Sequence, residues 1–337
     1  MAMLTVERSL WHPVIASAAL GTVRPEAAML LGEALVLWRE ASGLPRALVD
    51  RCPHRGARLS LGRVTPEPEH RLECAYHGWQ FDGSGQCRKV PALPDFVPPT
   101  THRACAYEAA EAYGLVWVRL HTGQSEVSPF PAWHEAALRK TLCGAYDVAT
   151  SAPRIVENFL DMAHFGFVHE GWLGARTHPA IPDYRVEEAE HGFSALDCRA
   201  TQPQSSVHAS GSAEVSYTYH VNAPYTAVLT KTPEQGGAAI ADFRESIALF
   251  VCPMDEETSR VWFVLAMNDF TSPDRKLQDF QHTIFMQDKP VLESQMPKRL
   301  PIGVSAELHS AADKASAAYR RYLSRQRISF GVLRPAP

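Results

Sequence analysis

The chain has 337 residues, a length that suggests about two domains. Apolar residues make up 45% and charged residues 21%, the balance of a globular protein with a sizeable core. The net charge of −4 gives no reason to expect nucleic acid or an anionic membrane as partner, and no run approaches the ~20 apolar residues a membrane-spanning helix needs.

In chain order, Met1 to Ala19 lacks a basic segment followed by an apolar one and carries Glu7 early, so no export signal is read and a cytoplasmic protein is expected. Ala34 to Glu40 and Pro45 to Asp50 flank Ser42-Gly43, a hairpin signal. Two short motifs follow, C-P-H (Cys52, His54) and C-A-Y-H (Cys74, His77), separated by the nineteen residues 55 to 73. The polar run Thr65 to His70 in that gap reads as a surface loop. Asp82 to Gly85 marks a turn, and Leu115 to Leu120 a strand. His121 to His134, with Gly123, Pro129 and Pro131, reads as a boundary and gives domains 1–125 and 126–337.

The second part mixes types. Arg154 to His164 has helical spacing, and Glu214 to Tyr219 and Tyr225 to Thr230 alternate like strands. Ile247 to Cys252 and Arg260 to Met267 form a hairpin around Pro253 to Thr258. Glu307 to Leu323 reads as a helix with Ser305 as N-cap and a stripe at Leu308, Ala311, Ala312, Ala315, Tyr319, Tyr322 and Leu323. The expected class is α+β. An all-β N-terminal domain precedes a helix-grip domain, in which a curved antiparallel sheet grips a long C-terminal helix and leaves a pocket between them. Tyr217, Tyr219, Tyr225, Phe250 and Trp262 are candidate pocket aromatics, although such stripes are more often plain core. The remaining cysteines (Cys87, Cys105, Cys143, Cys198 and Cys252) are scattered and read as reduced core residues.

The two short motifs carry the first chemistry. Each offers one thiolate and one imidazole. Two Cys and two His in this order suit a [2Fe–2S] cluster with both Cys on one iron and both His on the other, a centre at roughly −150 to +300 mV against about −400 mV for the all-Cys plant type. Gly56 and Gly78 beside the ligands let backbone N–H groups approach the sulfurs. The competing reading is a zinc-binding interaction module. With Gly78-Trp79 after the second motif, the pattern C-x-H then C-x-x-H-G-W resembles the Rieske [2Fe–2S] family.

The segment Glu157 to His169 reads E-N-F-L-D-M-A-H-F-G-F-V-H. Asp161 and His164, three apart, share a face on a helix. Five residues of helix turn about 500°, so His164 and His169 would lie roughly 140° apart and cannot chelate one ion from an unbroken helix. Gly166 between them is a place for the backbone to depart from helical geometry. Asn158, Asp161, His164 and His169 match N-x-x-D-x-x-H-x(4)-H, and the chain as a whole resembles the Rieske non-haem iron oxygenases. It is most similar to the vanillate and dicamba O-demethylase and caffeine N-demethylase group, as a terminal oxygenase α subunit.

That resemblance implies His164 and His169 as ligands of a mononuclear Fe(II). The third ligand falls in a stretch resembling D-x-x-x-x-E-x-Q, with Asp288 expected and Glu293 or Asp279 as alternatives. Two histidines and one carboxylate leave positions open for dioxygen. The resemblance also implies that Asp161 links a cluster histidine, His77, to His164 across a ring of subunits, a homotrimer. It implies a monooxygenase that hydroxylates a small, flat organic substrate or removes an O- or N-methyl group as formaldehyde. Ring dihydroxylation is the alternative, and a Rieske electron carrier without oxygenase activity the reading from another class. No G-x-G-x-x-G follows a strand, so a separate reductase, or a ferredoxin plus reductase, is expected to supply electrons from NAD(P)H.

Overall fold

The computed structural model describes residues 5–204, 211–233, 243–303 and 306–334. It divides into two compact units, Met1–Val127 and Ser128–Pro337. No helix among the described residues is long and apolar enough to cross a membrane.

The first unit is built of short strands: β1 (His12–Ala16), β2 (Glu26–Leu30), β3 (Glu33–Arg39), β4 (Pro45–Val49), β5 (Arg63–Val64), β6 (Leu72–Glu73), β7 (Gln80–Phe81), β8 (Cys87–Lys89), β9 (Ala106–Ala112) and β10 (Leu115–Arg119). Six of them form an antiparallel sheet in the order β1-β10-β9-β4-β3-β2, and β5 to β8 form a second sheet of four. The hairpin expected across Ser42-Gly43 is present as β3 paired with β4. Val36, Trp38, Leu48, Leu59, Leu72 and Phe81 form one buried cluster that includes Cys52 and Cys74. The run after Thr65 closes on itself, with the Thr65 N–H donating to Arg71 O at 2.8 Å while Pro66 to Glu69 stay exposed. Cys87 is buried, but Cys105 is exposed, contrary to the core role expected for it.

The second unit carries a seven-stranded antiparallel sheet. Its strands are β11 (Arg139–Val148), β12 (Arg185–Ala189), β13 (Gly192–Gln202), β14 (Ala213–Ala223), β15 (Thr226–Pro233), β16 (Glu245–Pro253) and β17 (Ser259–Met267), in the order β11-β17-β16-β15-β14-β13-β12. A parallel pair, β18 (Leu300–Pro301) with β19 (Val332–Leu333), completes it. Alternation along the strands decides which side chains face the helices. Tyr217, Tyr219, Leu229, Ile247, Leu249 and Phe263 belong to the main core on that side. Phe250 and Trp262, out of phase with them, lie on the other face, where Phe250 packs edge-on against Phe130. These two are core, not pocket.

Four helices lie in this unit: α1 (Ala152–Leu160), α2 (Phe165–Val168), α3 (Asp274–Ser294) and α4 (Lys314–Arg325). The C-terminal helix begins later than its sequence pattern suggests. Ser305 lies outside the described residues, Leu308 is fully exposed, and Ser310 caps a short 3-10 turn with a reciprocal bond from its own N–H to Asp313. From Ala315 onward the expected stripe is buried. The longest helix is α3, which packs along β11. Its polar outer face and Pro290 in its last turns hide it from periodicity.

Helix α1 is fixed to α4 by buried charges. Arg320 pairs with Glu157 at 2.6 Å and with Glu307, and Arg154 pairs with Glu307 at 2.6 Å. A buried network of this kind is worth little against an apolar replacement, but removing one partner strands a charge. Arg320→Met is therefore expected to lose about 3–5 kcal/mol in urea unfolding, and Arg320→Met with Glu157→Leu to regain most of it.

Candidate metal centres

The two Cys/His motifs adopt matching loops. In Cys52–Ala57, the Cys52 N–H donates to Ala57 O at 2.8 Å and the Gly56 N–H to Cys52 O at 2.9 Å. In Cys74–Trp79, the Cys74 N–H donates to Trp79 O at 2.9 Å and the Gly78 N–H to Cys74 O at 3.0 Å. The glycine is fifth in both, at φ +72° and +69°, a left-handed conformation that a side chain strains. The first loop is clamped at its base by Asp50, which accepts from the Ser60 N–H at 2.7 Å and its hydroxyl at 2.6 Å. The second is the tip of the β6–β7 hairpin.

These closures bring the four donors together in two layers. Cys52 and Cys74 are buried and their thiols touch. The His54 and His77 rings lie outside them, 4.5 Å apart between centroids. His54 stacks on Trp79 at 4.5 Å with planes 4° apart. Its Nδ1 is buried without a hydrogen-bond partner among the described residues, as an atom meant for a ligand would be. Desolvation, then His77 and Arg55, hold the His54 imidazole below its ordinary pKa and so in its neutral, metal-binding form. Burial pushes the Cys52 thiol up to about 11, although backbone N–H groups of His54 and Arg55 point at the sulfur. A thiolate there needs cationic charge beside it. Among the described residues, the set of three or more His, Cys, Asp or Glu donors gathered within 4.8 Å is His164, His169 and Asp288. The two cysteines and two histidines are set in two pairs, thiol beside thiol and imidazole beside imidazole. A two-iron cluster suits their spread.

The second set forms because the helix breaks. Helix α1 stops at Leu160; Asp161 turns extended (φ −88°, ψ 127°) and accepts the Ala163 N–H at 2.8 Å. His164 then precedes the single turn α2 and His169 follows it. The break expected at Gly166 falls instead at Asp161–Ala163 and at His169. Gly166 serves close packing: a Cβ there would sit 3.0 Å from Ala175 O, and one on Gly174 would sit 2.5 Å from Gly166 N. With both histidines off the ends of α2, their Nε2 atoms lie 3.1 Å apart. Asp288, on α3, places Oδ1 at 3.5 Å from His164 Nε2 and 3.2 Å from His169 Nε2. The other carboxylates considered are engaged elsewhere: Glu293 accepts the Ala149 N–H, and Asp279 faces Arg275 on the surface.

Each imidazole is held from behind. His164 Nδ1 lies 3.2 Å from Asp161 Oδ2, and His169 Nδ1 lies 2.8 Å from Gln287 Oε1. Both partners are acceptors, so each Nδ1 carries the proton and each Nε2 presents a bare lone pair. Two lone pairs and a carboxylate converge, with Asn158 Nδ2 at 3.4 Å from Asp288 Oδ1. Such a donor set is built for a cation. Gln287 escaped the sequence reading, since it stands 118 positions from the histidine it holds and follows no motif.

The triad ends a cavity between the sheet and α1 and α3, with about 680 Å³ of empty space including its open mouth. Phe159, Phe165, Tyr217, Ile247, Phe263 and Phe285 are among its walls. Tyr219 also lines it, and its hydroxyl is buried with no hydrogen-bond partner among the described residues. Of the aromatics proposed from sequence, Tyr217 and Tyr219 line the cavity, while the Tyr225 hydroxyl instead donates to Phe330 O at 3.0 Å. One ion pair, Lys231–Glu245, stands at the cavity wall. Lys231 falls on the inward phase of an alternating strand, a signal legible in the sequence but not taken up.

Residues 10–104 match the Rieske [2Fe-2S] domain, and residues 148–327 match the vanillate O-demethylase oxygenase C-terminal domain. A methylxanthine N1-demethylase of Pseudomonas putida is 31% identical over 94% of this chain and 88% of its own. A probable methylxanthine N7-demethylase of Pseudomonas sp. (strain TJI-51) is 40% identical over 66% of this chain and 78% of its own. The solved structure of Pseudomonas putida CBB5 NdmA with caffeine superposes with a TM-score of 0.80 at 30% identity, covering 94% of this chain and 90% of that one. Dicamba monooxygenase bound to dicamba, at 20% identity and a TM-score of 0.80 over 96% and 99% of the two chains, shares the fold. The chain belongs to the Rieske non-haem iron oxygenases, as a terminal oxygenase α subunit of the demethylase type that uses a Rieske [2Fe–2S] cluster, mononuclear iron and dioxygen.

Proposed function

We propose that this chain removes a methyl group from nitrogen of a small methylated heterocycle, with Cys52, His54, Cys74 and His77 holding the cluster and His164, His169 and Asp288 holding the iron. The observation that carries the reading is the convergence of two imidazole Nε2 atoms and one carboxylate on an aromatic-walled cavity. The similarity to methylxanthine N-demethylases supports nitrogen over oxygen as the methyl-bearing atom.

When bound, the iron supplies dioxygen activation and the cluster supplies single electrons to it. The chain's own residues do the rest. Phe159, Phe165, Phe263 and Phe285 hold a flat ring by dispersion and exclude water from the triad. Asp161 and Gln287 fix the tautomers of His164 and His169, and Asn158 orients the Asp288 carboxylate. The buried sulfurs of Cys52 and Cys74 and the outer imidazoles of His54 and His77 would hold the cluster, whose chemistry is single-electron transfer. Asp161 is taken as the link to His77 of a neighbouring protomer in a homotrimer, and a separate cytoplasmic reductase as the electron source.

With a surrogate reductase and NADH, an N-methyl heterocycle should yield one formaldehyde for each dioxygen consumed. Formaldehyde from methoxyarenes and from no N-methyl compound would overturn the assignment. Asp161→Asn should keep both metals and a chemically reducible cluster, yet lower turnover by about 100-fold. Full turnover by that variant would remove Asp161 from the electron path. Gln287→Leu frees the His169 ring; its iron affinity, read by competition with a chelator, should fall by about 10- to 100-fold while the cluster absorption stays unchanged.

A further inference from the structure

We propose that Lys231, paired with Glu245, forms a subsite that receives an uncharged carbonyl oxygen of the substrate and turns carboxylates away. The inference rests on the reading of the triad's cavity as the substrate site.

The pair occupies directly opposed positions of β15 and β16, with Nζ 2.7 Å from Oε2 and side chains 6% and 9% exposed. Lys231 is in phase with Ala227 and Leu229, and Glu245 with Ile247, Leu249 and Val251, all members of the main core. Two charges thus interrupt an otherwise apolar inner face. A buried ion pair is a poor stabiliser, since apolar residues of similar volume do as well or better. Packing therefore gives no account of it.

Its location does. Lys231 lines the cavity that ends at His164, His169 and Asp288. A smaller recess bordered by Lys231, Glu245 and Leu277 shares Ile247, Phe280 and Gln281 with that cavity. An ammonium carries three N–H donors. Among the described residues Glu245 is its partner, which leaves donors for a ligand.

The charge balance selects the ligand. Lys231 and Glu245 sum to zero. A carboxylate brought to the ammonium would place a second anion beside Glu245 in a medium of low dielectric, where like charges repel strongly. A carbonyl oxygen accepts the same N–H without adding charge. The geometry therefore favours neutral lactam- or imide-type rings, with the methyl group toward the triad and a carbonyl at Lys231, over carboxylated methoxyarenes.

Dissociation constants for caffeine and vanillate, measured by calorimetry on the resting holoenzyme without reductase, test this. The wild type should bind caffeine the more tightly. Lys231→Met should weaken caffeine by about tenfold or more, the loss expected when a built donor is removed. Glu245→Gln should tighten vanillate by about tenfold, because the repelling anion is gone. Lys231→Met/Glu245→Leu replaces the pair by apolar residues; it should keep the cluster absorption and thermal midpoint and bind caffeine as poorly as the single variant. Unchanged caffeine affinity in Lys231→Met, unchanged vanillate affinity in Glu245→Gln, or a wild type that binds no caffeine overturns the subsite. Loss of formaldehyde release with the binding pattern intact would instead overturn the demethylation reading alone.

Discussion

Two hydrogen bonds to imidazole Nδ1 atoms decide what the second unit can bind. Asp161 accepts a hydrogen bond from His164 Nδ1–H and Gln287 one from His169 Nδ1–H, so both Nε2 atoms face Asp288 as acceptors 3.1 to 3.5 Å apart. Three acceptors at that spacing repel one another until a cation sits among them. The two supports differ in charge. A second carboxylate behind His169 would add a third anion to Asp161 and Asp288. With a neutral amide there, Asp161 and Asp288 would together balance the charge of one divalent ion.

That arrangement needs three attachments to agree. Helix α1 delivers Asn158 and Asp161 and is anchored by the Arg154, Glu157, Glu307 and Arg320 charges. The turn α2 carries the histidines just beyond its two ends, pressed against the following loop where Gly166 meets Gly174 backbone to backbone. Helix α3 delivers Gln287 and Asp288 from consecutive positions, one to Nδ1 of His169 and the other to the Nε2 atoms of both histidines. Consecutive helical residues point about 100° apart, and here one reaches Nδ1 and the next Nε2 of the same imidazole.

Legibility in the sequence followed the range of the interactions. The Cys/His loops were readable because each is local: six residues, one left-handed glycine and two backbone bonds close them. The strands flanking Ser42-Gly43 and Pro253 to Thr258 were readable for the same reason. The start of α4 was misplaced because Leu308 fits the helical period yet projects into solvent. The triad was reached through a motif, not through periodicity, since a helical reading of Glu157 to His169 sets the two rings on different faces. What stayed hidden is long-range. Gln287 meets His169 across 118 positions, and no local pattern in α3 marks it.

The cavity joins these two kinds of information. Its apolar walls come from alternation in β14 to β17, which any sheet of this kind supplies. Its chemistry comes from the few polar groups that break the alternation or end a helix: the triad at one end, the Tyr219 hydroxyl in the wall, and the Lys231–Glu245 pair. Excluding water strengthens each of them, because a donor or charge in low dielectric is screened less. The same exclusion makes every unmatched polar atom costly. A ring that leaves Lys231 without an acceptor, or that brings a charge Glu245 cannot tolerate, therefore loses binding at the wall before its methyl group reaches the triad. Selectivity and reactivity reside in different parts of one pocket: the register of β15 and β16 sets Lys231 opposite Glu245, while α2 and α3 place the triad.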